Sequence, residues 1–265
     1  GKILQLPEEN RQQKTEQAAQ QPSSQAAGLS PLMLLGKTSV EDEVRIGRQV
    51  AGDLLGAAPL VKDDALQRYV NTVGRWVASQ SNRKDLNWHF GVIESEDINA
   101  FCAPGGKIGV YTGLVNRLRL TDDELAAVMG HEIAHALREH SREQMSQKTL
   151  SGLITSTIAV ATGVPGELMD AGSQMLVHLP NSRAMELESD VIGLELMARA
   201  GYDPRNASSI WRKMQQVSGG QQGASFLSTH PAGDQRIAEL DAYVPKVLPL
   251  YQAAVAQKKA PARSR

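Results

Sequence analysis

Apolar residues recur at helical spacing along most of the chain between residues 40 and 257. The pattern predicts helices over 40–56, 63–80, 121–142, 146–161, 166–178, 183–200, 205–217, 232–243 and 246–257. One stretch departs from that period. Trp88-His89-Phe90-Gly91-Val92-Ile93, Asn99-Ala100-Phe101 and Ile108-Gly109-Val110-Tyr111-Thr112 read as short strands, with Pro104-Gly105-Gly106-Lys107 as a turn. The expected fold class is mainly α with a small antiparallel β-sheet, an α+β arrangement. At the start of the chain Gln12, Gln13, Gln17, Gln20, Gln21 and Gln25 lie among Ala, Ser and Glu without apolar periodicity, so a flexible Gln-rich arm is expected over 1–36. Residues 258–265, rich in Lys, Ala and Arg, read as a disordered tail, which leaves one domain over 37–257.

The helix expected from residue 121 carries the densest chemistry. Thr121 and Glu124 form a capping box, and Asp122 and Asp123 add acids to the first turn. The apolar run that follows leads into His131-Glu132-Ile133-Ala134-His135. Two histidines four apart on a helix share a face, so both imidazoles can reach one zinc ion, and the glutamate between them can hold a water at that ion. The competing reading is a pair of core histidines, which leaves Glu132 as a buried acid without a task.

A catalytic zinc takes three protein ligands and keeps a fourth position open. Cys102, the only cysteine, lies in an apolar extended segment and is a poor candidate. The helix expected from residue 183 offers acids instead. With Glu186 placed at 0°, Asp190 falls at roughly 40°, Met197 at roughly 20° and Gly193 at roughly 340°, whereas Glu188, Glu195 and Arg199 cluster at roughly 200° as a solvated face. Glu186 is therefore the expected third ligand. Asp190, one turn on, is placed to accept a hydrogen bond from the free nitrogen of His131 or His135 and orient that ring. The small Gly193 would let another helix approach. His140, nine residues after His131, falls about 180° away on an extended helix and is excluded from the same metal. His89 and His178 have no partner pattern, and Met129, Met145, Met169 and Met175 read as core filler.

Composition narrows the class. The chain has 265 residues, is 41% hydrophobic and carries a net charge of -1, enough for a well-packed core and no argument for nucleic acid as a partner. One cysteine means no internal disulfide. The apolar run within 149–177 falls short of the ~20 residues that span a bilayer. That segment packs in the core, covers the cleft or touches a membrane surface. No signal sequence is visible from Gly1 onward, and the missing methionine suggests a leader removed or replaced.

These residues together resemble a known family. His131-Glu132-Ile133-Ala134-His135, Ser182-Arg183-x-x-Glu186-x-x-x-Asp190, the segment Asp97–Gly106, and Ser228-Thr229-His230-Pro231 with Arg236-Ile237 look like the gluzincin metallopeptidases that include the type I CAAX prenyl proteases, HtpX, BepA and LoiP. The matches run from about residue 40 to 245, and Ser189 departs from the usual alanine before the aspartate. The resemblance implies a zincin-like fold around the motif helix. It also implies one Zn2+ per chain on His131, His135 and Glu186, with Glu132 as general base and acid and His230 and Arg236 near the metal to stabilise the oxyanion. A neutral His230 imidazole has a second option, to fill the fourth zinc position and hold the site latent. Asn99 and Ala100 are expected to bind substrate by strand addition at an exposed sheet edge. The expected function is a zinc endopeptidase acting on unfolded or misassembled envelope proteins in the bacterial periplasm, with outer-membrane association and oligomeric state left open. The alternative is a latent-site binding or chaperone-like factor for outer-membrane protein assembly.

Overall fold

The computed structural model describes residues 60–103, 105–140, 181–218, 225–231 and 233–257. The arm, the tail, and the helices expected over 40–56, 146–161 and 166–178 lie outside the described residues, as do Met145, Met169, Met175 and His178.

Helix α1 (Asp64–Ala78) starts where the Asp63 carboxylate accepts the backbone N–H groups of Ala65 and Leu66, and it buries Leu66, Val70, Val73 and Val77 at helical spacing. Three strands follow, β1 (His89–Ile93), β2 (Ala100–Ala103) and β3 (Lys107–Tyr111), then a short helix α2 (Thr112–Arg117). The motif helix α3 spans Asp122–Leu137, and α4 spans Arg183–Arg199. A 3-10 turn at Pro204–Asn206 leads into α5 (Ala207–Ser218), and α6 (Ser225–Thr229) precedes α7 (Asp234–Ala256).

The sheet is mixed rather than wholly antiparallel. Its order is β1-β3-β2, with β2 antiparallel and β1 parallel to β3. Gly105 and Gly106, both at positive φ (79° and 76°), turn the β2–β3 hairpin. The parallel pair arises because residues 94–98 cross the end of β3 before β2 begins. Thr112 Oγ1 accepts from Ser95 N and donates to Ser95 O, while Gly113 N donates to the same carbonyl at 2.7 Å. A Cβ on Gly113 would sit 2.3 Å from Glu96 O, so only glycine lets the loop pass this close. Local periodicity carries no trace of such a crossover.

The outer edge of β1 is closed. Val61 N donates to Val92 O, and the Gln67 side-chain amide donates to Phe90 O at 2.9 Å while its oxygen accepts from Val92 N at 2.9 Å. One side chain thus supplies the pairing that a further strand would give.

Two helix boundaries differ from expectation. α3 ends at Leu137, not 142, because Glu139 adopts φ 57° and reverses the chain. The helices expected over 232–243 and 246–257 are one helix that runs through Pro245 and Pro249. Each proline removes one helical hydrogen bond, but Val244 and Val247 are buried on the helix's inner side and hold the two halves together.

α3 and α4 pack backbone to backbone. The position a Cβ on Gly193 would occupy is 2.7 Å from His131 N and 2.8 Å from the Gly130 carbonyl carbon. Gly193→Ala is therefore expected to force the helices apart. We expect a loss of about 1–3 kcal/mol in denaturant unfolding, against the gain of about 1 kcal/mol that glycine-to-alanine brings inside an unobstructed helix.

Candidate metal centre and active site

α3 and α4 place their polar side chains against each other in the interior. His131, Glu132 and His135 on α3 and Glu186 and Asp190 on α4 are all buried. His230 joins them from the end of α6, where its backbone N–H donates to Phe226 O and its ring stacks on the Phe226 ring at 4.2 Å between centroids. One ligand atom each from His131, His135, Glu186 and His230 lies within 4.8 Å of all the others. His131 Nε2 is 3.0 Å from His135 Nε2, 3.2 Å from His230 Nδ1 and 3.4 Å from Glu186 Oε2. Glu186 Oε1 is 3.3 Å from His135 Nε2 and 3.0 Å from His230 Nδ1.

Three imidazole nitrogens and a carboxylate aimed at one point are a zinc donor set. A second observation agrees. Glu132 is wholly buried, and neither of its oxygens has a hydrogen-bond partner. A buried carboxylate without partners is costly unless a ligand or water supplies them. Zinc fits these residues.

The surroundings fix the ligands. His131 Nδ1 lies 3.0 Å from Asp190 Oδ1, so in the neutral ring that nitrogen carries the hydrogen and Nε2 has the lone pair a metal would take. Arg236 clasps Asp190 with two guanidinium nitrogens, one of them 2.8 Å from Oδ1. It also reaches Glu186 Oε2 at 2.5 Å and Pro231 O at 3.1 Å, and it lies 3.7 Å over the Trp211 ring. The structure therefore places Arg236 as a strut holding a ligand and the acid behind another ligand. Its donors go to those two carboxylates and to Pro231 O, and one guanidinium nitrogen also lies 3.4 Å from both ring nitrogens of His131.

Burial would lower the His131 imidazole, but Glu186 and Asp190 outweigh it and push it up to about 9. Burial holds His135 well below the ordinary histidine value, helped by His131 and His230. Burial opposes charge on Glu186 too, yet His230 and His131 hold its carboxyl far below the carboxylate range. Burial pushes Glu132 up, against the opposing charges of His230 and His131.

The sheet lies beside this centre, with β2 packed on α3. Asn99 is buried, and its backbone carbonyl accepts from Tyr111 N at 3.0 Å, so it faces β3 and not the open edge. By strand alternation the backbone groups of Ala100 point away from β3, but Ala100, like Asn99, is buried rather than exposed as expected. Cys102 is half-buried on β2, and His89 is exposed on β1; neither joins the cluster.

Sequence reasoning missed two supporting side chains. Trp211 under Arg236 is visible only once α5 is packed. His140 does not join the metal cluster, but the reversal at Glu139 brings its Nδ1 to 2.9 Å from His135 Nδ1. Helical extrapolation past Leu137 had put it on the far side.

The buried two-histidine, one-glutamate cluster beside Glu132 is the residue set of an HExxH zinc centre. The chain belongs to peptidase family M48, whose profile matches residues 64–244. It is 40% identical over 159 residues to the mitochondrial metalloendopeptidase OMA1 of Arabidopsis thaliana, covering 60% of this chain and 32% of that protein. It is 36% identical over 180 residues to the OMA1 of Schizosaccharomyces pombe, covering 67% and 53%. It is 29% identical over 214 residues to the Escherichia coli beta-barrel assembly-enhancing protease, covering 76% and 43%. The chain thus spans between about a third and a half of the length of these relatives.

Purified protein is expected to hold one zinc per chain by elemental analysis, and His131→Ala, His135→Ala and Glu186→Ala to lose it. Arg236→Leu leaves two buried carboxylates without their cation. It should cost about 3–5 kcal/mol in denaturant unfolding, far more than a rim arginine.

Proposed function

We propose that this chain is a zinc-dependent endopeptidase that cleaves unfolded or misassembled envelope proteins, acting in the periplasm at or near the outer membrane. The observation that carries the hydrolytic reading is Glu132, fully buried with no hydrogen bond to either oxygen beside three convergent candidate ligands. His131, His135 and Glu186 would hold the zinc, which would supply the Lewis acidity that lowers the pKa of a water and polarises a carbonyl. Glu132 accepts the proton of the attacking water and delivers it to the leaving amine. His131 is held in its Nε2-free form by Asp190, and Arg236 fixes that acid and Glu186 together. Substrate pairs as an added strand along β2, through the outward backbone of Ala100; Asn99 keeps its carbonyl in the sheet and supports the edge. The name of the Escherichia coli relative supports the envelope substrate, while the OMA1 relatives are named for mitochondria. Among the described residues no helix is long and apolar enough to cross a membrane. The domain is taken as 37–257, which contains the whole family match.

A second reading has its own observation. His230 Nδ1 lies within the ligand cluster and its Nε2 is 3.5 Å from Glu132 Oε1. In this position His230 fills the fourth site and faces the base, which describes a latent enzyme able to hold client chains without cutting them.

Casein cleavage and zinc content separate the readings. Glu132→Gln should keep its zinc and lose about 10^2- to 10^4-fold in cleavage; equal cleavage by both proteins would end the peptidase reading. His230→Ala should raise cleavage several-fold if His230 masks the site. A fall with zinc retained would assign it to the oxyanion instead.

A further inference from the structure

We propose that His140 and Glu188 form a proton-ordering relay that sets the metal-binding tautomer of His135, so that both α3 ligands are oriented from α4. The proposal rests on zinc binding at the centre and not on the choice of substrate.

The geometry is a chain of three groups. His135 directs Nε2 into the ligand cluster, 3.3 Å from Glu186 Oε1, and turns Nδ1 outward. His140 Nδ1 meets it at 2.9 Å, the two rings standing 72° apart. His140 Nε2 lies 3.2 Å from Glu188 Oε2, and the other Glu188 oxygen is 2.5 Å from Arg138 Nη2. His140 is buried, while Glu188 is about a third exposed at 38%. Ser189 Oγ, fully buried between the two acids of α4, is 3.4 Å from His140 Nδ1.

Two nitrogens at 2.9 Å hold a single hydrogen between them, and the direction of the bond decides whether His135 can bind metal. If His140 donates, His135 must carry its own hydrogen on Nε2, and its metal-binding lone pair is gone. His140 Nε2 would then present a lone pair to a carboxylate, which accepts only. If His135 donates, Nε2 is free for zinc, and His140 carries its hydrogen on Nε2, where Glu188 accepts it. With both rings neutral, the carboxylate admits only the second arrangement. Glu188 thus reads through His140 to a ligand it does not touch, as Asp190 does directly for His131. The turn at Glu139 is what makes the relay possible, because it folds His140 back beside the last turn of α3.

The test is zinc affinity of the full chain, measured by chelator competition, with Co2+ absorption as a report on ligand geometry. His140→Leu should weaken zinc about 10- to 100-fold, the range for groups hydrogen-bonded to metal ligands, and shift the Co2+ bands. His140→Gln restores an acceptor oxygen for His135 Nδ1 and should recover most of that loss; a purely space-filling role would recover nothing. Glu188→Ala, at a part-exposed position, should fold normally and weaken zinc several-fold, which carries the test should His140→Leu not fold. Wild-type affinity in Glu188→Ala and His140→Leu, or equal losses in His140→Leu and His140→Gln, would overturn the relay. Wild type that binds zinc but leaves casein uncut would overturn the peptidase reading alone. Wild type that binds no zinc would overturn both.

Discussion

The centre depends on how closely two helices can approach. Gly130 on α3 and Gly193 on α4 remove the side chains that would hold the backbones apart, and the helices meet with their main chains in contact. At this separation short carboxylate side chains from one helix reach the imidazoles of the other. A glutamate or aspartate spans only a few ångströms beyond its backbone, so a wider gap would leave ligands and supporting acids out of register. Packing is here a condition of the chemistry.

Close approach creates an electrostatic burden, since ionised groups leave water and gather in the interior. The structure offsets it by pairing. Arg236 stands against Asp190 and Glu186 and lies flat on Trp211, so its charge is compensated by carboxylates and by an aromatic face. His131 is tied to Asp190. Neither oxygen of Glu132 has a hydrogen bond, which leaves its lone pairs free for the role proposed for it. The distribution of satisfied and unsatisfied groups divides support from reactivity more sharply than proximity does.

Much of this was legible in the sequence where it depends on local order. The capping box at Thr121 and Glu124 forms as the residue types demand, and Glu124 adds bonds to Ser209 and Lys213 that tie α3 to α5. The face shared by Glu186, Asp190, Gly193 and Met197 is buried, as helical geometry at about 100° per residue requires. What escaped has a common cause. The parallel pairing of β1, the continuity of α7 through its prolines, the place of His140 and the commitment of Arg236 all depend on the chain's path or on partners distant in sequence. Arg236 lies 46 residues from Asp190 in the chain, and no periodicity links them.

The Gln67 amide on β1 has a further meaning for how the sheet ends. Any sheet margin with free backbone groups is a template on which other chains can pair and aggregates can grow. Gln67 withdraws one margin from that traffic by imitating a neighbouring strand. The opposite margin belongs to β2, packed on the helix that carries Glu132. One glutamine side chain thus does at this margin what backbone does elsewhere in the sheet.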